Sequence, residues 1–111
     1  MSRKEVYVVA LTASTEHSGQ FCLVLESPSL ERRVPIIIGQ AEAQSIAMAL
    51  EKMQPLRPQT HDLYCNSLEA LGAHLREVHI ASLEEGRYHA RLLLEQAGQE
   101  VLVDARPSDA V

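Results

Sequence analysis

The sequence predicts an α/β (α+β) domain in which a helix hairpin covers an antiparallel sheet. Short runs of β-branched and apolar residues, bounded by turn residues, predict strands. Apolar side chains recur at helical spacing from Gln40 to Met53, and a second helical pattern follows two prolines. The links between the first three strand-like runs are short, which favours antiparallel pairing.

Length and composition predict a single domain that spans residues 1–111. Hydrophobic residues make up 46% of the 111 positions, and a chain of this size can bury a core. No apolar run approaches the roughly 20 residues of a membrane helix, and the residues MSRKEVYVV do not show the pattern of a signal peptide. We therefore expect a cytoplasmic protein without a membrane partner. Cys22 and Cys65 lack metal-ligand spacing, so two buried, reduced thiols are expected.

The charge balance limits the classes of function. Ten Lys and Arg residues against 15 Asp and Glu residues give a net charge of −5. A passive nucleic-acid binder usually has a basic surface, so this class is disfavoured. A metal-dependent nuclease remains compatible with the sequence, because its acidic residues hold a cation that supplies positive charge.

Three strands are predicted in the first part of the chain. They cover Val6–Leu11, Phe21–Leu25 and Arg33–Ile38. The continuously apolar second run suggests a strand covered on both faces. Pro35 has no amide donor, which places the third strand at a sheet edge or at a bulge. His17 lies in the first loop and is expected to be a bystander.

A helix is predicted from Gln40 to Met53, directly after Gly39. Glu42 falls in its first turn, where a carboxylate interacts favourably with the helix dipole. A ligand or base at this junction is the functional alternative, and the structural explanation is favoured for Glu42 taken alone. The apolar stripe of this helix contains Ala43, Ile46, Ala47, Leu50 and Met53.

A second helix is predicted after Pro55 and Pro58, with Thr60 or Asp62 as its cap. Its core-facing stripe contains Tyr64, Leu68, Leu71 and Leu75. The two helices would form the hairpin that covers the sheet.

A β-hairpin is predicted around Glu85-Gly86, from His79–Leu83 and Tyr88–Leu94. A two-residue turn there would place Ala81 opposite Ala90, His79 opposite Leu92 and His89 opposite Ser82. Structural roles are expected for both histidines. After a turn at Ala97-Gly98, the last strand covers Val101–Asp104.

The C-terminal residues resemble the start of a helix, with Ser108 as a candidate cap. The sequence ends at Val111, and so short a helix is marginal on its own. We therefore expect the domain to be truncated at its C-terminal end.

Charged residues gather at the predicted ends of strands and helices, where α/β proteins place their sites. The carboxylates could hold Mg²⁺ or Mn²⁺, a histidine could activate water, and arginines could bind a phosphate. This set fits phosphodiester hydrolysis. It also fits an inert ion-pair network, which general reasoning favours. The residues are Glu42, Arg57, His61, Asp62, Asp104, Arg106 and Asp109.

Three motifs in fixed order carry a family resemblance. They are PIIIGQAEA at residues 35–43, RPQTHDL at residues 57–63 and DARPSDA at residues 104–110. In this order the chain resembles the bifunctional nuclease domain family, first catalogued as a bacterial domain of unknown function. The resemblance implies a curved, partly barrel-like, mixed or antiparallel sheet flanked by helices. It also implies nuclease activity on RNA and DNA, as in plant members. Family domains continue after the last motif through a helix and a further strand.

We assign roles to the motif residues on this basis. The predicted catalytic residues are His61, Asp62, Asp104 and Asp109, and Arg57 and Arg106 would bind the substrate phosphate. The predicted metal ligands for Mg²⁺ or Mn²⁺ are Glu42, Asp104 and Asp109. A nucleic-acid substrate and a homodimer are the expected partners. The alternative is a non-catalytic interaction or dimerisation module, in which Arg–carboxylate pairs lock the RPQTHDL and DARPSDA runs together.

Overall fold

A computed structural model describes residues 4–13, 19–29, 31–84 and 87–111. These residues form two units, residues 1–51 and residues 52–111. Each unit contains a three-stranded antiparallel sheet and at least one helix. The predicted α/β class is therefore confirmed, and the described strands divide between two sheets. None of the described helices has the length and apolar character needed to cross a membrane.

The first unit begins with the predicted antiparallel meander. Strands β1 (Tyr7–Ala13), β2 (Gln20–Ser27) and β3 (Arg32–Gly39) lie in that order in the sheet. Pro35 lies on β3, at the edge of this sheet. An edge strand tolerates proline because its outward amide position has no ladder partner to lose.

The core of the first unit lies between its sheet and helix α1 (Gln40–Leu50), which packs on β2 and β3. Buried and half-buried residues alternate along β2, so one face of this strand is buried and the other face, predicted to be covered as well, is only partly covered. A helix on one face of an antiparallel sheet buries every second side chain. The buried apolar residues are Leu23, Leu25, Ile36, Ile38, Ala43 and Ile46.

Helix α1 ends earlier than its apolar pattern predicts. Lys52 has a φ of 55°, a left-handed conformation that commonly terminates helices. Met53 therefore lies outside the helix and is exposed.

The second unit contains α2 (Thr60–Ala70), β4 (Ala73–Glu84), β5 (Arg87–Gln96), β6 (Gln99–Ala105) and α3 (Pro107–Ala110). Its strands lie in the order β4-β5-β6. Helix α2 packs on β4 and α3 packs on β5. The contacts thus assign α1 and α2 to different sheets, whereas the sequence pattern suggested one helix hairpin on one sheet.

The predicted core-facing stripe of α2 is wrong. Gly72, with a φ of +79°, turns the chain out of the helix, so Leu75 lies in β4. Helix α2 has no buried residue. Tyr64 is 53% exposed, Leu68 is half-buried and Leu71, just after the helix, is 71% exposed. None of these side chains is therefore buried in the core of the second unit.

The predicted register of the β4–β5 hairpin is also wrong by one residue. Ala90 pairs with Ile80 and Ala81 pairs with His89. An irregularity between Ala81 and Glu84 inserts the extra residue, and such a bulge shifts every pair beyond it. The turn at Glu85-Gly86 and the loop with His17 lie outside the described residues.

Strands β5 and β6 are joined by the predicted turn at Ala97-Gly98. Both residues have positive φ, 52° and 80°, and Gln96 pairs with Gln99. This is a type I′ turn, the connection that matches the twist of antiparallel strands. Both cysteines are free. Cys22 is half-buried and Cys65 is exposed, so the prediction of a buried thiol is wrong for Cys65 and only partly met by Cys22.

Candidate active site in the second unit

Helix α3 begins directly after β6 and presents the DARPSDA run. Arg106 is its N-cap residue and Pro107 is its first helical residue, a position where the missing amide of proline costs nothing. The predicted cap, Ser108, is therefore the second residue of the helix. Pro107 and Ser108 are buried, and this burial anchors a helix too short to form alone.

The carboxylate of Asp109 joins two of the sequence motifs. Its Oδ2 accepts a hydrogen bond of 2.9 Å from Nε of Arg106. Its Oδ1 lies 3.4 Å from Nε2 of His61, which belongs to the first turn of α2. We call these three residues, His61, Arg106 and Asp109, the acid–base cluster.

The acid–base cluster is accessible to solvent. The side chains of His61, Asp109 and Arg106 are 45%, 39% and 66% exposed. Exposed ion pairs contribute only about 0–1 kcal/mol to stability. These contacts therefore add little to folding, and they leave the groups within reach of a dissolved substrate.

Asp62, a predicted catalytic residue, is engaged at the start of α2. Its Oδ2 accepts a hydrogen bond of 3.0 Å from the backbone N–H of Gln59, which is the N-cap residue. A carboxylate at the third helical position that binds the cap amide is one half of a capping box. Asp62 thereby fixes where the helix begins, next to His61. The earlier candidates for this cap, Thr60 and Asp62 itself, lie inside the helix.

The two remaining predicted site residues of the second unit lie outside the acid–base cluster. Arg57 is exposed in the bend before α2 and forms no ion pair with any residue that the structure describes. Asp104 is exposed on β6, opposite Arg91 of β5. Both side chains are accessible.

Glu42 belongs to the first unit, where it lies half-buried in the first turn of α1. Its Oε2 lies 2.6 Å from the point that a Cβ atom on Gly39 would occupy. The glycine that precedes this helix therefore leaves room for the glutamate to fold back over the helix start. That position suits a negative charge.

The predicted divalent cation stays a prediction. Across the described ranges, no three His, Cys, Asp or Glu side chains are grouped so that they could hold a metal ion. Both oxygens of Asp109 face nitrogen atoms of other side chains, whereas Mg²⁺ requires several oxygen ligands in octahedral geometry. The described donors alone do not form such a site.

Sequence reasoning missed two polar residues that position α2. Gln59 is the N-cap, and its spacing of three residues from Asp62 is the signal that could have identified it. Gln96 donates a hydrogen bond of 2.7 Å from Nε2 to the carbonyl of Leu71, just after α2. No sequence pattern marks this second contact, because the residues are distant along the chain.

The geometry of the acid–base cluster supports proton transfer next to a cation. A histidine whose ring is oriented by a carboxylate is a common general base. An arginine beside it can stabilise charge on a phosphate.

Comparison with known proteins places the chain in a family. The model of the bifunctional nuclease domain matches residues 23–111. The chain is 40% identical over 107 residues to the uncharacterized proteins MT1877 and Rv1829, from two strains of Mycobacterium tuberculosis. These alignments cover 96% of this chain and 63% of each relative, so the chain spans under two thirds of their length. The chain belongs to the bifunctional nuclease domain family.

Proposed function

We propose that the protein is a nuclease that hydrolyses phosphodiester bonds of RNA and DNA. The observation that supports this most directly is the acid–base cluster, in which the carboxylate of Asp109 contacts both His61 and Arg106. Membership of the bifunctional nuclease domain family supports the same class of substrate.

In this proposal His61 is the general base. Its Nε2 faces Asp109, so its Nδ1 is the ring nitrogen that takes a proton from the attacking water. Proton transfer by a positioned side chain contributes about 10²–10⁴-fold to the rate. Arg106 and the exposed Arg57 stabilise the negative charge that develops on the phosphate oxygens.

The test is cleavage of a labelled single-stranded RNA and a duplex DNA. Each substrate is incubated with Mg²⁺, with Mn²⁺ and with EDTA, which tests the predicted cation. His61→Ala and Asp104→Ala are compared with wild type, and circular dichroism confirms that each variant is folded. We expect His61→Ala to lose about 100-fold or more of the cleavage rate.

His79→Gln is the matched control. Nε2 of His79 lies 3.2 Å from Oε1 of Glu77, so it is a second histidine–carboxylate pair in the same unit without the arginine of the acid–base cluster. Cleavage that persists in His61→Ala, or that His79→Gln abolishes, would contradict the assignment of His61. A wild-type protein that cleaves neither substrate would contradict the nuclease proposal itself.

The alternative is a non-catalytic interaction or dimerisation module. It is favoured by the exposed apolar side chains of α2, since large exposed apolar patches often bind proteins. Leu63 and Tyr64 are both more than half exposed, and so is Leu71, just after the helix. Sedimentation of wild type and Tyr64→Glu tests it. A dimer that the variant loses, in a protein without cleavage activity, is the expected result, and a monomer at all concentrations would contradict it.

A further inference from the structure

The acid–base cluster contains a proton acceptor and a cation around one orienting carboxylate. His61 and Arg106 approach different oxygens of Asp109, at 3.4 Å and 2.9 Å. Asp109 is therefore placed to orient these side chains. The cluster supplies acid–base chemistry and positive charge, which can act on a nucleophile that comes from solvent or from the substrate.

RNA carries its own nucleophile next to every phosphate. The 2′-hydroxyl is already held close to the phosphorus atom, so its attack is intramolecular and needs no bound water. It requires a base to take its proton and a cation to stabilise the phosphorane charge. DNA lacks this hydroxyl, and its cleavage requires an activated water.

We propose that, without any divalent cation, the acid–base cluster cleaves RNA by attack of the 2′-hydroxyl. This inference rests on the proposed nuclease function and assigns RNA as the substrate class of the metal-free site. Nδ1 of His61 takes the 2′-hydroxyl proton while the 2′-oxygen bonds to phosphorus. The bond from phosphorus to the 5′-oxygen breaks, and the leaving 5′-oxygen takes a proton from a water molecule. The hydroxide that remains then takes the proton from the His61 imidazolium. The products end in a 2′,3′-cyclic phosphate and a 5′-hydroxyl.

The experiment compares three oligonucleotides of one sequence in EDTA. They are an RNA, the corresponding DNA and an RNA with a 2′-O-methyl group on every nucleotide. The protein is expected to cleave the RNA alone. Mass spectrometry is expected to find a product end lighter by one water than a linear phosphate, as a cyclic phosphate requires.

Variants separate the catalytic residue from the positioning residue. His61→Gln is expected to lose about 100-fold or more of the RNA cleavage rate in EDTA, and His79→Gln is expected to retain it. Asp109 acts through His61, so Asp109→Asn should lower kcat with little change in KM. Asp109→Glu, which restores the carboxylate, should recover part of the lost kcat. A role for Asp109 in folding alone would lower the fraction of active protein without this rescue.

The outcomes distinguish the inference from the proposed function. Cleavage that requires Mg²⁺ or Mn²⁺ for all substrates overturns the inference and leaves the nuclease proposal standing. Cleavage of the 2′-O-methyl RNA or of the DNA in EDTA also overturns the inference and leaves the nuclease proposal standing. The same holds if the RNA products carry linear phosphate ends from the first time point. If no substrate is cleaved under any condition, both are overturned.

Discussion

Two substitutions of Asp62 separate a capping role from a catalytic one. Oδ2 of Asp62 binds the amide of Gln59, and Asn also provides a side-chain oxygen that can accept this bond. Asp62→Ala removes the acceptor and should cost about 1 kcal/mol, as loss of a helix cap does. Asp62→Asn keeps the acceptor and loses only the charge near the helix start, worth about 0.3–1 kcal/mol.

These free energies translate into a measurable melting temperature. The entropy of unfolding is about 2.1 cal/mol/K per residue, which gives roughly 0.23 kcal/mol/K for a chain of this length. Asp62→Ala should therefore lower Tm by about 4 °C, and Asp62→Asn by about half of that. Differential scanning calorimetry measures both values.

The cleavage assay then decides the role of Asp62. A helix cap predicts that Asp62→Asn keeps most of the wild-type rate, because His61 stays at the start of an intact helix. The sequence-based assignment of Asp62 as a catalytic residue predicts a loss of about 100-fold with Tm nearly unchanged. That second result, or an Asp62→Ala variant as stable as wild type, would refute the capping argument.

Three other substitutions test local features. Ala97→Asn should raise the free energy of unfolding by up to about 1 kcal/mol, because Asn tolerates the left-handed φ of the type I′ turn better than Ala. Urea unfolding measures this free energy, and a value below that of the wild type would contradict the prediction. Gly39→Ala should displace the Glu42 carboxylate, which lies 2.6 Å from the added Cβ, and should lower the free energy of unfolding. This decrease should be largely absent when Gly39→Ala is introduced into a Glu42→Ala variant. The pKa of Tyr7 is raised, chiefly by its hydrogen bond to Glu5 and also by the charge of that carboxylate. Glu5→Gln should therefore lower the pKa of Tyr7 in an ultraviolet titration, and an unchanged midpoint would show that Glu5 does not act on the phenol.

Local patterns sufficed for the elements of the fold. Runs of β-branched and apolar residues predicted the strands, the helical spacing after Gly39 predicted α1, and Ala97-Gly98 predicted a turn. Each of these depends on residues close together in the chain, whose backbone preferences act in nearly any context.

The errors arose where one residue's backbone conformation overrides a longer pattern. Gly72 ends α2 although Leu75 continues its apolar spacing. The irregularity after Ala81 shifts the β4–β5 pairs, although the turn position alone would fix another register. Hydrophobic periodicity does not encode a single left-handed residue or a bulge.

The sequence by itself determined the family motifs and the set of charged residues that could perform chemistry. Only the tertiary structure decided which of them meet: Asp109 contacts His61 and Arg106, and Asp62 binds the cap amide of α2. Asp104 lies outside this cluster, at the position opposite Arg91 on the neighbouring strand. The physical reason is that α3 is too short to hold its own position and is placed by burial of Pro107 and Ser108. Such packing depends on residues far apart in the chain, and a linear pattern does not show it.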